Sequence, residues 1–182
     1  MILIYLIGVF LTGIAMYVNR NKTLTNILVG FFMVLQWSMT LFACFHRNET
    51  DFFYFTYDSL GILLLITTGI IAIPALIHSH IYLKDPPAPA KSRSLYYAAM
   101  IFLIAAMSAG YLANHIAVTW IFTELTTLCA SILIYHHRNK LALEATWKYV
   151  FICAISITFV FIGILYLSLS LEHAGSDDLS FS

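Results

Sequence analysis

Glu124 is the residue best placed to do chemistry. It lies near the middle of an apolar stretch, in the segment 116–131 (IAVTWIFTELTTLCAS). An acid at the centre of a bilayer costs about 2.5–3.5 kcal/mol even on the lenient insertion scale, so a membrane helix does not carry one idly. At helical spacing its face includes Trp120 and Thr127, with Thr123 and Ser131 nearby. These groups could hydrogen-bond the carboxylate or hold water beside it. The chemistry expected of such a site is uptake and release of a proton. The alternative is a protonated, structural glutamate hydrogen-bonded between helices.

Other ionisable residues sit nearer the ends of the apolar runs. Lys148 follows Glu144 by four residues, the favourable direction for a helical ion pair worth about 0.3–0.5 kcal/mol. It reads either as an interfacial lysine that extends its ammonium to water or as a charge at the mouth of a proton path. His78 and His80 are two residues apart, so they point to different faces and cannot form an i,i+4 metal pair. They read as boundary residues, with a proton relay as the alternative. His136 and His137 are adjacent and interfacial. Cys44, Cys129 and Cys153 all fall within apolar runs without metal-type spacing and read as buried small hydrophobes. No metal site, cofactor or catalytic site is expected, because no Cys or His set and no glycine-rich loop is present.

The elements that position these residues follow from composition. The 182 residues are 61% hydrophobic and 10% charged, whereas about a quarter of an ordinary soluble domain is charged. Six apolar runs, at about 1–18, 24–45, 59–83, 94–113, 115–135 and 145–171, are each close to the ~20 residues that cross the bilayer as a helix. Residues 1–182 therefore read as a single all-α transmembrane domain of six helices. The first run has no basic residue ahead of it and reads as a retained helix, not a cleaved signal peptide.

The connections set the orientation. Seven cations (Arg20, Lys22, Lys84, Lys91, Arg93, Arg138 and Lys140) fall in the odd-numbered connections, against Arg47 alone in the even-numbered ones. The positive-inside rule then puts both termini outside. Asp58 reads as the N-cap of the third helix, and Pro74, inside that helix, is expected to kink it. The proline-rich stretch 85–89 cannot continue a helix. Ala105, Ala109 and Ala113, with Ala106 and Gly110 alongside, form a small-residue face for close helix packing. Net charge is zero, and no basic cluster suggests nucleic acid.

Two segments carry a family resemblance: 114–128 (NHIAVTWIFTELTTL), containing Glu124, and 143–149 (LEATWKY), containing Lys148. They resemble the proton-conducting antiporter-like subunits of respiratory complex I, of Mrp-type antiporters and of membrane-bound nickel–iron hydrogenases. The wording is most similar to the large membrane subunit of hydrogenases of the formate-hydrogenlyase type. The resemblance implies that Glu124 is the fifth-helix glutamate of the proton pathway and that Lys148 matches a basic position at the start of the sixth helix. Full-length members carry further helices, with a lysine on a broken seventh helix and more titratable groups beyond it. The resemblance thus implies a truncated or split version of a longer subunit.

The implied function is that of a proton-translocating subunit, or part of one, in a redox-driven complex of the hydrogenase or NADH–quinone oxidoreductase type. The redox chemistry would lie on partner subunits. The implied partners are other membrane subunits, the lipid bilayer, and a separate chain carrying the remaining helices. The implied location is a bacterial or archaeal cytoplasmic membrane. The alternative is a membrane scaffold or assembly module without transport.

Overall fold

A computed structural model describes residues 1–19, 21–47, 49–51, 54–84 and 89–174, with residues 22, 90, 137 and 172–174 described by backbone alone. Arg20, residues 85–88 of the proline-rich stretch and everything beyond residue 174 lie outside the described residues. The chain forms α1 (Ile2–Val18), α2 (Lys22–Phe45), a short hairpin of β1 (Thr50–Asp51) and β2 (Phe55–Thr56), α3 (Ser59–Tyr82), α4 (Ala90–Leu112), α5 (Ile116–Ile134), a single 3-10 turn (Tyr135–His137) and α6 (Lys140–Ala174). The expected all-α membrane class is borne out. Five helices, α2 to α6, are long and apolar enough to cross a bilayer. The 17 residues of α1 make it the shortest, about 26 Å at 1.5 Å per residue.

The bundle has two distinct ends. At one, the Ser94 hydroxyl donates to the Asn19 carbonyl at 2.6 Å, and Ser92 meets Nδ1 of His136 at 3.4 Å. The first, third and fifth connections therefore meet there. At the other end the amino group of Met1 pairs with Asp51, and the hairpin touches the α4–α5 turn through a Phe55–Ala113 bridge and an Asn114 N–H bond to the Tyr54 carbonyl. This is the alternation expected of successive crossings.

α4 is the central helix. It packs on α1, α3 and α5, and it is the most buried of the spanning helices. Its small residues explain this position: Ala98, Ala105, Ala106 and Ala109 are all buried and let neighbouring backbones come close. Gly61 makes one such approach possible on α3, since a Cβ there would lie 2.5 Å from the Tyr111 carbonyl oxygen of α4. α5 and α6 form the open side of the bundle: few of their described residues are buried, α6 being mostly exposed and α5 mostly half-buried. In the described part of α6, Ile164 is the one buried hydrophobic residue.

Local details refine the sequence expectations. Asp58 does cap α3, its carboxylate accepting the Leu60 N–H at 3.3 Å. α3 runs without a break past Pro74. α6 starts at Lys140, ahead of the apolar run at 145, because Asn139 caps it: its side-chain oxygen accepts the Ala142 N–H at 2.6 Å. A mixed polar first turn is invisible to a hydropathy boundary. Arg138 supplies the left-handed residue (φ 49°) that turns the chain between α5 and α6. Of the three cysteines, Cys129 is buried but Cys44 is exposed on the apolar surface of its helix.

Candidate functional site

The position of Glu124 is fixed from the start of α5. His115 is the N-cap, its Nδ1 accepting the Ala117 N–H at 3.2 Å, and its ring meets Tyr54 edge-on at 5.8 Å. Phe55 of the hairpin packs against Phe122 at 6.1 Å. From this anchored end Glu124 lies about 12 Å along the helix, with about 15 Å remaining to Ile134. Its depth is central.

Three faces of α5 can be told apart. Phe122 approaches Gly110 of α4, and Cys129, two turns on, is buried on the same side. Ile121, Leu125, Leu128 and Ile132 form an exposed apolar stripe. Trp120 faces α6: its indole N–H donates to the Ile157 carbonyl at 3.2 Å, and its ring packs on Phe161 at 4.9 Å. Glu124 is one turn from Trp120 and about 40° around the helix, between the α6 contact and the exposed stripe. Its Oε2 is buried and accepts no hydrogen bond from the described residues.

The hydroxyls expected beside this carboxylate do not bind it. Thr123 donates to the Thr119 carbonyl, Thr127 to the Glu124 backbone carbonyl, and Ser131 to the Leu128 carbonyl. In an apolar medium a Ser or Thr hydroxyl finds its nearest acceptor in the preceding turn of its own helix. Trp120, expected on the same face, is committed to α6.

The remaining candidates are spread over the bundle. Lys148 pairs with Glu144 at 2.5 Å as expected, with both side chains exposed. Nine residues separate Lys148 from Ile157, so it points away from α5 and Glu124. His78 stacks on Tyr82 at 6.4 Å. Tyr82 in turn lies 5.8 Å from His136, and His136 lies 4.9 Å from Tyr96. His80 points elsewhere, into a cleft between α2, α3 and α4. Among the described residues, none of the four candidates for a proton path, Glu124, Lys148, His78 and His80, contacts another. It does reveal a buried polar cluster that the sequence reading missed. Tyr5 donates to Gln36 Oε1 at 2.5 Å, and Gln36 Nε2 donates to Ser108 Oγ at 2.9 Å. The three residues tie α1, α2 and α4 together at 0–2% exposure. The signal was Gln36 itself, a carboxamide midway along an apolar run.

Site and fold together define an integral membrane bundle whose mid-helix acid lies near an open face. No family model matches the sequence. Among curated proteins it is similar to a Hydrogenase-4 component F homolog of Methylacidiphilum infernorum (isolate V4), with 26% identity over 140 residues, 72% of this chain and 28% of that protein. It is also similar to one subunit of a Na(+)/H(+) antiporter of Bacillus subtilis (strain 168), with 27% identity over 110 residues, 60% of this chain and 22% of that protein. A hydrogenase component and a sodium/proton antiporter subunit are both of the kind the two sequence segments resemble, and the expected resemblance is borne out. The chain spans about a quarter of the length of these relatives.

Proposed function

We propose that this chain is an ion-translocating, antiporter-like part of a redox-driven membrane complex of the hydrogenase or NADH–quinone oxidoreductase type, in which Glu124 takes up and releases the proton. The observation that carries this reading is the buried Oε2 of Glu124, which accepts no hydrogen bond from the described residues. A structural glutamate bridging helices would be hydrogen-bonded, because an unsatisfied buried oxygen costs about 1–3 kcal/mol. A proton carrier needs the opposite: a group that can exchange its partner. The similarity to a hydrogenase component and to an antiporter subunit supports the same assignment.

The partners follow from the open side of the bundle. Beside Glu124, the stripe Ile121, Leu125, Leu128 and Ile132 is exposed, and other membrane subunits, including a chain with further helices, would cover it and continue the path. Lys148, on the outer face of α6, would then meet such a neighbour, while His78 and His80 lie on α3, which packs against α4. The membrane is the bacterial or archaeal cytoplasmic membrane.

The test is Glu124→Gln in the assembled complex, which keeps size and removes titration. Proton translocation should be abolished or strongly reduced while the subunit still inserts, and Cys129→Ala should do little. Normal pumping with glutamine at 124 would leave a scaffold role.

A further inference from the structure

We infer that Tyr149 and Cys153 of α6 carry the path of the Glu124 proton along the α5–α6 seam, toward the end where the odd-numbered connections meet. This inference rests on the reading of Glu124 as a proton carrier and names the side chains through which it exchanges. From Lys140 to Ile157 the half-buried residues of α6 are Ala142, Thr146, Tyr149, Val150, Cys153 and Ile157. Their spacing of three or four makes one stripe, and α6 packs chiefly on α5. On α5, Trp120, Glu124, Thr127 and Ser131 are half-buried at the same spacing, on the side that the Trp120–Ile157 bond turns toward α6. The two helices run antiparallel, so one turn from Trp120 to Glu124 matches one turn from Ile157 to Cys153. Glu124 is thus roughly level with Cys153, Thr127 with Tyr149, and Ser131 with Thr146.

The seam is polar on one side of Glu124 and closed on the other. Toward the odd-numbered connections, the Tyr149 hydroxyl and the Cys153 thiol interact across one turn of α6. The hydroxyls of Thr127, Ser131 and Thr146 donate to their own helices, which leaves their lone pairs free to accept. One turn is about 5.4 Å, the span of a single water making two bonds of about 2.8 Å. In the opposite direction the Trp120 ring lies on Phe161 at 4.9 Å, and its one donor is committed to Ile157. The other faces of α5 offer no such series: Phe122 closes on Gly110, and Ile121, Leu125 and Leu128 are apolar. Along the seam a proton passes with no net change at Tyr149. Its hydroxyl gives a proton to water on the Glu124 side and takes one from water on the outer side, and the Glu124 carboxylate becomes the acid. The reverse sequence releases the proton. Trp120 is a positioning residue that holds α6 against α5 and seals the seam beyond Glu124.

Two readouts test this route. In the assembled complex, Tyr149→Phe keeps the ring and removes the hydroxyl. It should lower proton translocation about a hundredfold, the lower end of what a positioned proton-transfer group contributes. Tyr166→Phe, at an exposed tyrosine of α6 beyond the Trp120–Phe161 contact, should leave translocation unchanged. Normal translocation in Tyr149→Phe with Glu124→Gln inactive would overturn the route and spare the reading of Glu124, whereas normal translocation in Glu124→Gln would remove both. The second readout needs no pumping. The full chain, with Cys44→Ala and Cys129→Ala, is placed in sealed vesicles and treated from each face with a small charged methanethiosulfonate. A separate Lys140→Cys variant marks the face of the odd-numbered connections. Cys153 should react from that face and be protected from the opposite one, and Trp120→Ala should admit the reagent from the opposite face. Cys153 unreactive from the marked face, reaction from the opposite face with Trp120 in place, or continued protection there in Trp120→Ala would overturn the proposal.

Discussion

The indole N–H of Trp120 donates to the backbone carbonyl of Ile157 at 3.2 Å, and this bond ties α5 to α6 one turn from Glu124. Trp120→Phe keeps an aromatic ring against Phe161 and removes only the donor. Interhelical hydrogen bonds in membranes average about 0.6 kcal/mol, so the variant should show a small loss of thermal stability in detergent. Trp120→Ala, which also removes the ring packing, should loosen α6 enough to weaken cysteine cross-linking between the two helices. A larger effect from phenylalanine than from alanine would contradict this division.

Gln36 should matter more. It holds Tyr5 and Ser108 at once in the fully buried centre of α1, α2 and α4. Gln36→Leu leaves the Tyr5 hydroxyl without its acceptor, and a buried orphan costs about 1–3 kcal/mol. Tyr5→Phe removes one bond and leaves the Gln36–Ser108 bond in place, so it should cost less. Glu144→Ala breaks a pair that water already screens, and its effect should stay within a few tenths of a kcal/mol. Denaturation of the three variants in one detergent gives the ranking.

The hairpin end of the bundle should respond to acid. The amino group of Met1 holds the Asp51 carboxyl below its ordinary range, with the Ile2 N–H and the Tyr57 hydroxyl adding to the effect. A depressed carboxyl stabilises the fold above its unfolded value, near 3.9, and this contribution is lost as pH falls through the folded value. Hydrogen-exchange protection of the Ile2 amide should therefore hold from pH 7 to about 5 and fall only in stronger acid. Asp51→Asn should remove that acid-dependent step. Burial, with the bond to Asp51, raises the Tyr57 phenol above its usual value, so it remains a donor over the whole range.

Orientation is open to a direct test. Seven cations in the odd-numbered connections against one in the even-numbered ones should place the odd connections in the cytoplasm. Reporter fusions should be active on the inner face near Lys91 and on the outer face after Leu171. A cytoplasmic signal after Leu171 would remove one crossing from the count.

Local chemistry alone made the membrane class, the depth of Glu124, the cap at Asp58 and the Glu144–Lys148 pair legible in the sequence. Each depends on run length or on residues within one helical turn. Which faces meet was decided only by tertiary packing. Ile101 of α4 is fully buried while Ile121 of α5 is 55% exposed, and both are isoleucines in helices of comparable apolarity. Lipid is as apolar as a side chain, so no hydrophobic pattern separates the two environments. Shape and polar partners decide instead. The alanines of α4 made it central, Gln36 fixed its neighbours, and Trp120 set α6 against α5. Those choices left Oε2 of Glu124 buried without a hydrogen bond from the described residues, and they turned His80 into a cleft between α2, α3 and α4 that its place near the end of an apolar run did not show.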